Sequence, residues 1–300
     1  MIWLIAAVSA YFLFAVASLG DRYLLIGPPS PKIYAFYVGT LGITVLLLAP
    51  FVGFFIPDVS QIMFSFWTGA IFVLSLLVLY YGLEKFQVSR IIPAIGGFMP
   101  IFTLILAYFI ISRENAFGWQ GALPFGLLVA GSIFISLEKS FKFSLKALFF
   151  AAVPAFLLSL YFVLAKIGYS NLGFWPGFIW IRIGSFLTAL LLMFFKDVRS
   201  EIFRKKASFT KKTGTIFIFN QVIGAGAVIL QNWSLALVSA VHISFVSALQ
   251  GIQYVFLFII TLLISFKNPA ILKEKISRKI IFQKIAATAL IGAGLAILAV

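Results

Sequence analysis

Cysteine is absent from the 300 residues. Disulfides, thiolate metal sites and a cysteine nucleophile are excluded, and the redox compartment is left open. Histidine occurs once, at His242, and acidic residues number eight. A zinc site or a His-based triad would have too few groups to draw on, so no metal and no cofactor are expected. No GxxxxGK[ST] loop is present, so ATP hydrolysis has no support. No carboxylate sits at the centre of an apolar run: Asp21, Asp58, Glu84, Glu114, Glu138, Asp197, Glu201 and Glu274 fall in gaps or at run ends. Proton-coupled cation pumps rely on a carboxylate inside the membrane, which disfavours that class. A lipid-processing enzyme would need paired carboxylates or a His–Asp pair near one interface, and none is evident.

Apolar residues are what the chain has in abundance. They make up 63% of it, with a mean hydropathy of +1.13 and only 10% charged residues. Average soluble domains are about 45–50% apolar and about 25% charged. Most of this chain must therefore meet lipid rather than water. Apolar runs cover 2–20, 33–55, 62–83, 91–111, 117–137, 147–165, 175–195, 214–236, 243–266 and 280–299. Each approaches the roughly 20 residues a helix needs to cross the hydrocarbon core. Backbone groups in lipid must pair internally, so runs of this length are expected to be helices, not barrel strands. Ala15-Val16-Ala17 resembles a signal-peptidase site. The first run has no basic segment before it and is long enough to span, so it is expected to be retained.

The formal charge of +15 would point to nucleic acid in a soluble protein. Here the cations lie between apolar runs, where they set topology and meet anionic lipid headgroups; no nucleic-acid partner is expected. Of the 23 Lys and Arg, 19 lie in the gaps after the odd-numbered runs. The gaps after even-numbered runs hold only Arg113 and Lys166. The positive-inside rule then places the odd gaps in the cytoplasm and both termini outside. The longest basic gaps, 196–213 and 267–279, contain no globular core and read as solvated loops, or as segments lying on the membrane.

Two alignments indicate an internal repeat. At an offset of 145, Phe36-Tyr37-Val38-Gly39-Thr40 matches Ile181-Arg182-Ile183-Gly184-Ser185, and each runs into an aliphatic stretch. At an offset of 163, Gly126, Ala130 and Gly131 match Ala289, Ala293 and Gly294. Small residues four apart let helices approach closely. Five runs per copy is an odd number, so the second copy would be inverted, as in many secondary transporters. The expected fold is all-α, with ten transmembrane helices as two inverted five-helix repeats, residues 1–138 and 139–300.

The chain resembles the EamA-like ten-helix members of the drug/metabolite transporter superfamily. The resemblance rests on Tyr80-Tyr81-Gly82-Leu83 closing the third run, Pro100 ahead of an aliphatic stretch, the Ser112-Arg113-Glu114 turn and Gly131 in the fifth run. Trp233-Ser234-Leu235-Ala236-Leu237-Val238-Ser239-Ala240 resembles the matching junction of the second half, with Glu274 near the place of Glu114. It implies a multi-pass permease of the cell membrane working by alternating access, with both termini in the cytoplasm, opposite to the charge count. An Arg near Arg182 is frequent in the family, which implies a structural role. The departures are Ile252 or Gln253 where a proline would mirror Pro100, and a lengthened basic turn at Glu274.

Polar residues inside the runs are the site candidates, because lipid-facing polar groups are costly. In the eighth run Asn220, Gly224, Ala227 and Gln231 share a face, next to Asn232. In the ninth, Ser247, Gln250 and Tyr254 share another. These groups either line a solute cavity or hold helices together. Tyr11, Tyr81 and Tyr161 are further lining candidates. Pro93, Gly96, Gly97 and Pro100 are expected to bend the fourth run as a hinge. Arg182 lies deep in the seventh run and needs a partner or an anionic ligand. Lys166 and Lys284 are near run ends and can snorkel. The expected partners are a small-molecule substrate and membrane lipid. The expected function is facilitated passage or exchange of a small polar metabolite such as an amino acid or sugar. The alternatives are an organic-anion or drug exporter of the same fold, and a non-transporting membrane enzyme or scaffold.

Overall fold

The computed structural model describes residues 1–24, 31–86, 88–111, 119–136, 145–203, 211–267 and 278–299. Every regular element among them is helical. In chain order these are α1 (Ile2–Leu24), α2 (Pro31–Leu41), α3 (Val59–Lys85), α4 (Val88–Ile110), α5 (Trp119–Ser136) and α6 (Leu145–Leu172). They continue with α7 (Phe174–Leu191), α8 (Lys196–Phe203), α9 (Lys211–Leu237), α10 (Ile243–Ala248), α11 (Gln250–Lys267) and α12 (Arg278–Ala299).

Five stretches are long and apolar enough to cross a membrane: Ile2–Gly20, Val59–Gly82, Leu148–Leu172, Phe174–Phe194 and Ala240–Leu263. Shorter apolar helical stretches occupy Ala35–Phe51, Ala94–Ile110, Gly121–Ile135 and Phe282–Leu298. Helix α9 is diluted by Asn220, Gln221, Gln231 and Asn232. Large apolar side chains stand outward from mid-helix, such as Phe109 (71% exposed), Phe219 (68%) and Phe282 (75%). In water these would be a penalty; in a bilayer they are the solvent-matched face.

Glycines set the closest crossings. A Cβ on Gly131 of α5 would stand 2.7 Å from Ile291 Cγ1 and 3.1 Å from Ala287 O of α12. A Cβ on Gly294 of α12 would stand 2.9 Å from Leu128 Cγ and 3.1 Å from Pro124 O of α5. Only hydrogen on both glycines permits this seam. Helices α3 and α7 interlock similarly. A Cβ on Gly69 would strike Ile181 O, and one on Gly184 would lie 2.6 Å from Phe66 Cα.

Three runs differ from expectation. The run 33–55 is α-helical only to Leu41 and then a 3-10 helix over Gly42–Phe51. The fourth run, with its two prolines and glycine pair, continues as one helix from Val88 to Ile110. Pro93 lies in its second turn, and Pro100 lacks the N–H that would bond to the Gly96 carbonyl, yet the helix runs on through it. The break falls instead in the ninth run, at Leu249 between α10 and α11. There Ile252 N–H bonds to Leu249 O at 2.9 Å rather than to Ala248 O, while Ser132 Oγ of α5 lies 3.2 Å from Ala248 O. An inserted side chain that takes a ladder carbonyl is a recognised cause of a kink. The basic gap 196–213 also begins as a helix, α8, whose Val198 is buried beside Ile33, Ala35 and Leu192.

Candidate functional site

Helix α9 runs antiparallel to α1, with Gly20 against Asn220, Leu13 against Gly226 and Trp3 O accepting from Ser234 Oγ at 2.8 Å. Its other side meets α6. Adjacent amides on α9, Gln231 and Asn232, therefore point into two different polar centres.

The first centre collects side chains of α1, α4, α9, α10 and α11. Tyr11, buried in α1, donates to Val246 O at 2.6 Å and accepts from Gln231 Nε2 at 3.4 Å. Tyr254 lies beside Tyr11. Its hydroxyl and Gln250 Cδ lie 3.2 and 3.8 Å from where a Cβ on Gly96 would stand. The expected hinge glycine and three expected ligands are thus neighbours. Two turns further along α1, Gln253 Nε2 donates to Ser18 Oγ at 3.1 Å.

The second centre joins α3, α6, α7 and α9. Tyr161 and Tyr169, one above the other on α6, donate to Asn232 Oδ1 at 2.7 and 2.8 Å. Asn232 Nδ2 donates to Val228 O at 2.8 Å, so both ends of the amide are engaged. Arg182 Nη2 reaches Tyr161 Oη at 3.4 Å. Its guanidinium carbon lies 4.6 Å from the Phe72 ring centre and 4.9 Å from that of Phe178. Arg182 is 4% exposed, its Nε finds no acceptor, and no ion pair to it is present among the described residues. Each ring contributes about 0.5–2 kcal/mol, against about 2.5–3.5 kcal/mol for an arginine at mid-membrane on an insertion scale. An open cleft of ≈ 210 Å³ lies at the end of the same α3–α6 pair, lined by Ser60, Gln61, Phe64, Gly168, Asn171 and Leu172.

Not every expected residue joins these centres. Asn220 is buried against Gly20 at the far end of the α1–α9 crossing, away from Gln231. Across the break at Leu249, Ser247 meets the same face of α4 two turns along from where Gln250 and Tyr254 meet it. Ser247 turns to α4, 3.4 Å from Thr103 Oγ1, and donates to Ser244 O at 2.8 Å. Tyr81 is half-buried near the end of α3 and belongs to neither centre. Gly97 faces Ile133 of α5, and Pro100 is buried in the unbroken α4. The side chain of Pro93 lies outside the described residues. Lys166 does not snorkel. Its Nζ donates to Ala236 O at 2.8 Å and Val238 O at 2.5 Å, closing the carbonyl end of α9. Lys284 lies 5.0 Å from the Phe258 ring centre.

Tyr169 and Phe72 were missed by sequence reasoning, as was the match of Ser9, Tyr11, Phe12 and Ala15 to Ser159, Tyr161, Phe162 and Ala165 at a constant offset of 150. That match was available from the sequence alone.

Fold and composition together define an all-helical membrane protein. No family model matches the chain, and no curated protein does. Among solved structures, one described only as "Crystal structure of protein" superposes with a TM-score of 0.71 at 14% identity, covering 98% of this chain and 97% of its own. At that identity the likeness speaks for the fold alone.

Proposed function

We propose that the chain is a secondary transporter of a small polar metabolite in the cytoplasmic membrane. It works by alternating access between two inverted five-helix halves, residues 1–138 and 139–300, in the manner of the EamA-like members of the drug/metabolite transporter superfamily. The observation that carries this reading is the reciprocity of the α5–α12 seam. Gly131 meets Ala287 and Ile291; Gly294 meets Pro124 and Leu128. Each pair is exchanged by the offset of 163, which is what a two-fold relation between halves produces.

The helix pairing supports the same relation. If α1 to α5 correspond to α6, α7, α9, α10–α11 and α12, the α1–α9 packing is answered by α3–α6, and α4–α6 by α1–α11. The pairs α2–α7, α4–α10 and α5–α12 map onto themselves. A pseudo-symmetric pair of halves supplies two conformations by exchanging roles, with the solute between them. Tyr11, Gln231, Gln250 and Tyr254 would orient it through neutral donors and acceptors, and α4 and the kinked α10–α11 would rock around it. The charge distribution supports ten crossings with the odd-numbered gaps cytoplasmic.

The test is uptake by proteoliposomes of amino acids and sugars. Gln231→Leu combined with Gln250→Leu is expected to abolish uptake while the protein still elutes as a folded species from size exclusion. Undiminished uptake would remove these two residues from the site.

A further inference from the structure

Arg182 takes no part in the neutral centre just described, yet it is the most conspicuous charge in the bundle. A guanidinium is a permanent cation with five N–H donors in a fixed plane. Phe72 and Phe178 act on it through their rings, but a ring face is a poor substitute for a lone pair at the in-plane edge. That edge meets one acceptor, Tyr161 Oη at 3.4 Å, while Nε is buried with none. The Tyr161 and Tyr169 hydroxyls already give their protons to Asn232, so Asn232 Oδ1 is saturated by them rather than by the cation.

Nε and one terminal nitrogen form the edge that holds a carboxylate through two parallel bonds. We propose that this edge of Arg182 is the anchor for a solute bearing a single carboxylate. The assignment rests on the transport reading and narrows its substrate class. A monoanion balances the one positive charge of the centre. A phosphate dianion would leave a net negative charge enclosed by Phe72, Phe178, Tyr161 and Tyr169. The 3-10 segment Gly42–Phe51 covers the site from the α2 side, with Arg182 Cδ 3.3 Å from where a Cβ on Gly42 would stand. Arg182 is a buried charge whose Nε has no acceptor, so its removal should relieve the resting protein.

The experiment is thermal unfolding of the full chain in detergent with acetate, lactate, benzoate and inorganic phosphate, each organic acid paired with its neutral amide. At least one carboxylate is expected to raise the melting temperature, and its amide is not. Arg182→Met is expected to melt about 2 °C or more above wild type without ligand and to lose the carboxylate response. Should Arg182→Met not fold, Arg182→Lys keeps the charge without the fork and is expected to bind the same carboxylate roughly tenfold more weakly. A lower melting point for folded Arg182→Met, equal responses to acid and amide, a response to phosphate alone, silence of every acid, or undiminished binding by Arg182→Lys each overturns the proposal. Uptake assays separate the two readings. A carboxylate that binds through Arg182 but never enters liposomes refutes transport and leaves the anchor standing. Neutral-solute uptake by a wild-type protein that responds to no carboxylate refutes the anchor and leaves transport standing.

Discussion

Tyr11 and Tyr161 occupy matching places on α1 and α6, each followed by phenylalanine, yet they do different work. Tyr11 spends its proton on a backbone carbonyl and receives a long bond from Gln231. Tyr161 belongs to a side-chain net with Asn232, Tyr169 and Arg182. The surroundings differ in the same sense. Around Tyr161, α3 and α7 lock backbone to backbone through Gly69 and Gly184. On α1 the tight spot lies at the far end of the α1–α9 crossing, Gly20 against the Asn220 side chain, which can rotate away. In the proposed pair of halves the skeleton is shared, and the chemistry resides where they diverge: a neutral centre on one side and a cationic, tightly braced one on the other.

Five substitutions probe that contrast. Gly69→Ala drives a methyl into the α7 backbone and is expected to cost about 3 kcal/mol, read as loss of monodisperse protein or a steep drop in melting temperature. Gly20→Ala should cost far less; an equal loss would erase the contrast in rigidity. Asn232→Leu strands the Tyr161 and Tyr169 hydroxyls, for a loss of about 2 kcal/mol in thermal or denaturant unfolding. Tyr11→Phe leaves the Val246 carbonyl without its donor and Gln231 without its long bond, and is expected to cost about 1 kcal/mol. Gln231→Leu, which gives up a single long bond, should cost about 0.6 kcal/mol. A Gln231→Leu loss as large as that of Asn232→Leu would show the two centres to be equally braced.

The helical class and the position of nearly every helix were legible because apolar runs of membrane length leave little choice of secondary structure. Of the small-residue matches between the fifth and tenth runs, Gly131 and Gly294 lie at the tightest part of the α5–α12 seam, whereas Gly126, Ala130, Ala289 and Ala293 are exposed. What escaped depended on partners distant in sequence. Proline marked α4 as the bent helix. The helical pattern breaks instead at Leu249, where Ile252 N–H turns to Leu249 O beside Ser132 of α5, 116 residues away from Ala248 in sequence. Ser247, Gln250 and Tyr254 all meet α4, at Thr103 and Gly96, on either side of the break at Leu249. Asn220 and Gln231 do share a face, as their spacing requires, but that face lies along α1, and a face eleven residues long reaches more than one site. Tyr169 was invisible because nothing local distinguishes a tyrosine that meets an amide from one that meets lipid.

The change of pitch after Leu41 bears on how far this part of the chain reaches. A 3-10 helix rises about 2.0 Å per residue and an α-helix about 1.5 Å. The ten residues from Gly42 to Phe51 thus extend about 5 Å beyond what the same residues would reach as α-helix. Rewinding this stretch would draw its outer end, with the exposed Phe51 and the left-handed Gly53, inward by that distance. The segment over Arg182 is in effect a ruler with two graduations, able to change length without either of its ends leaving the helix.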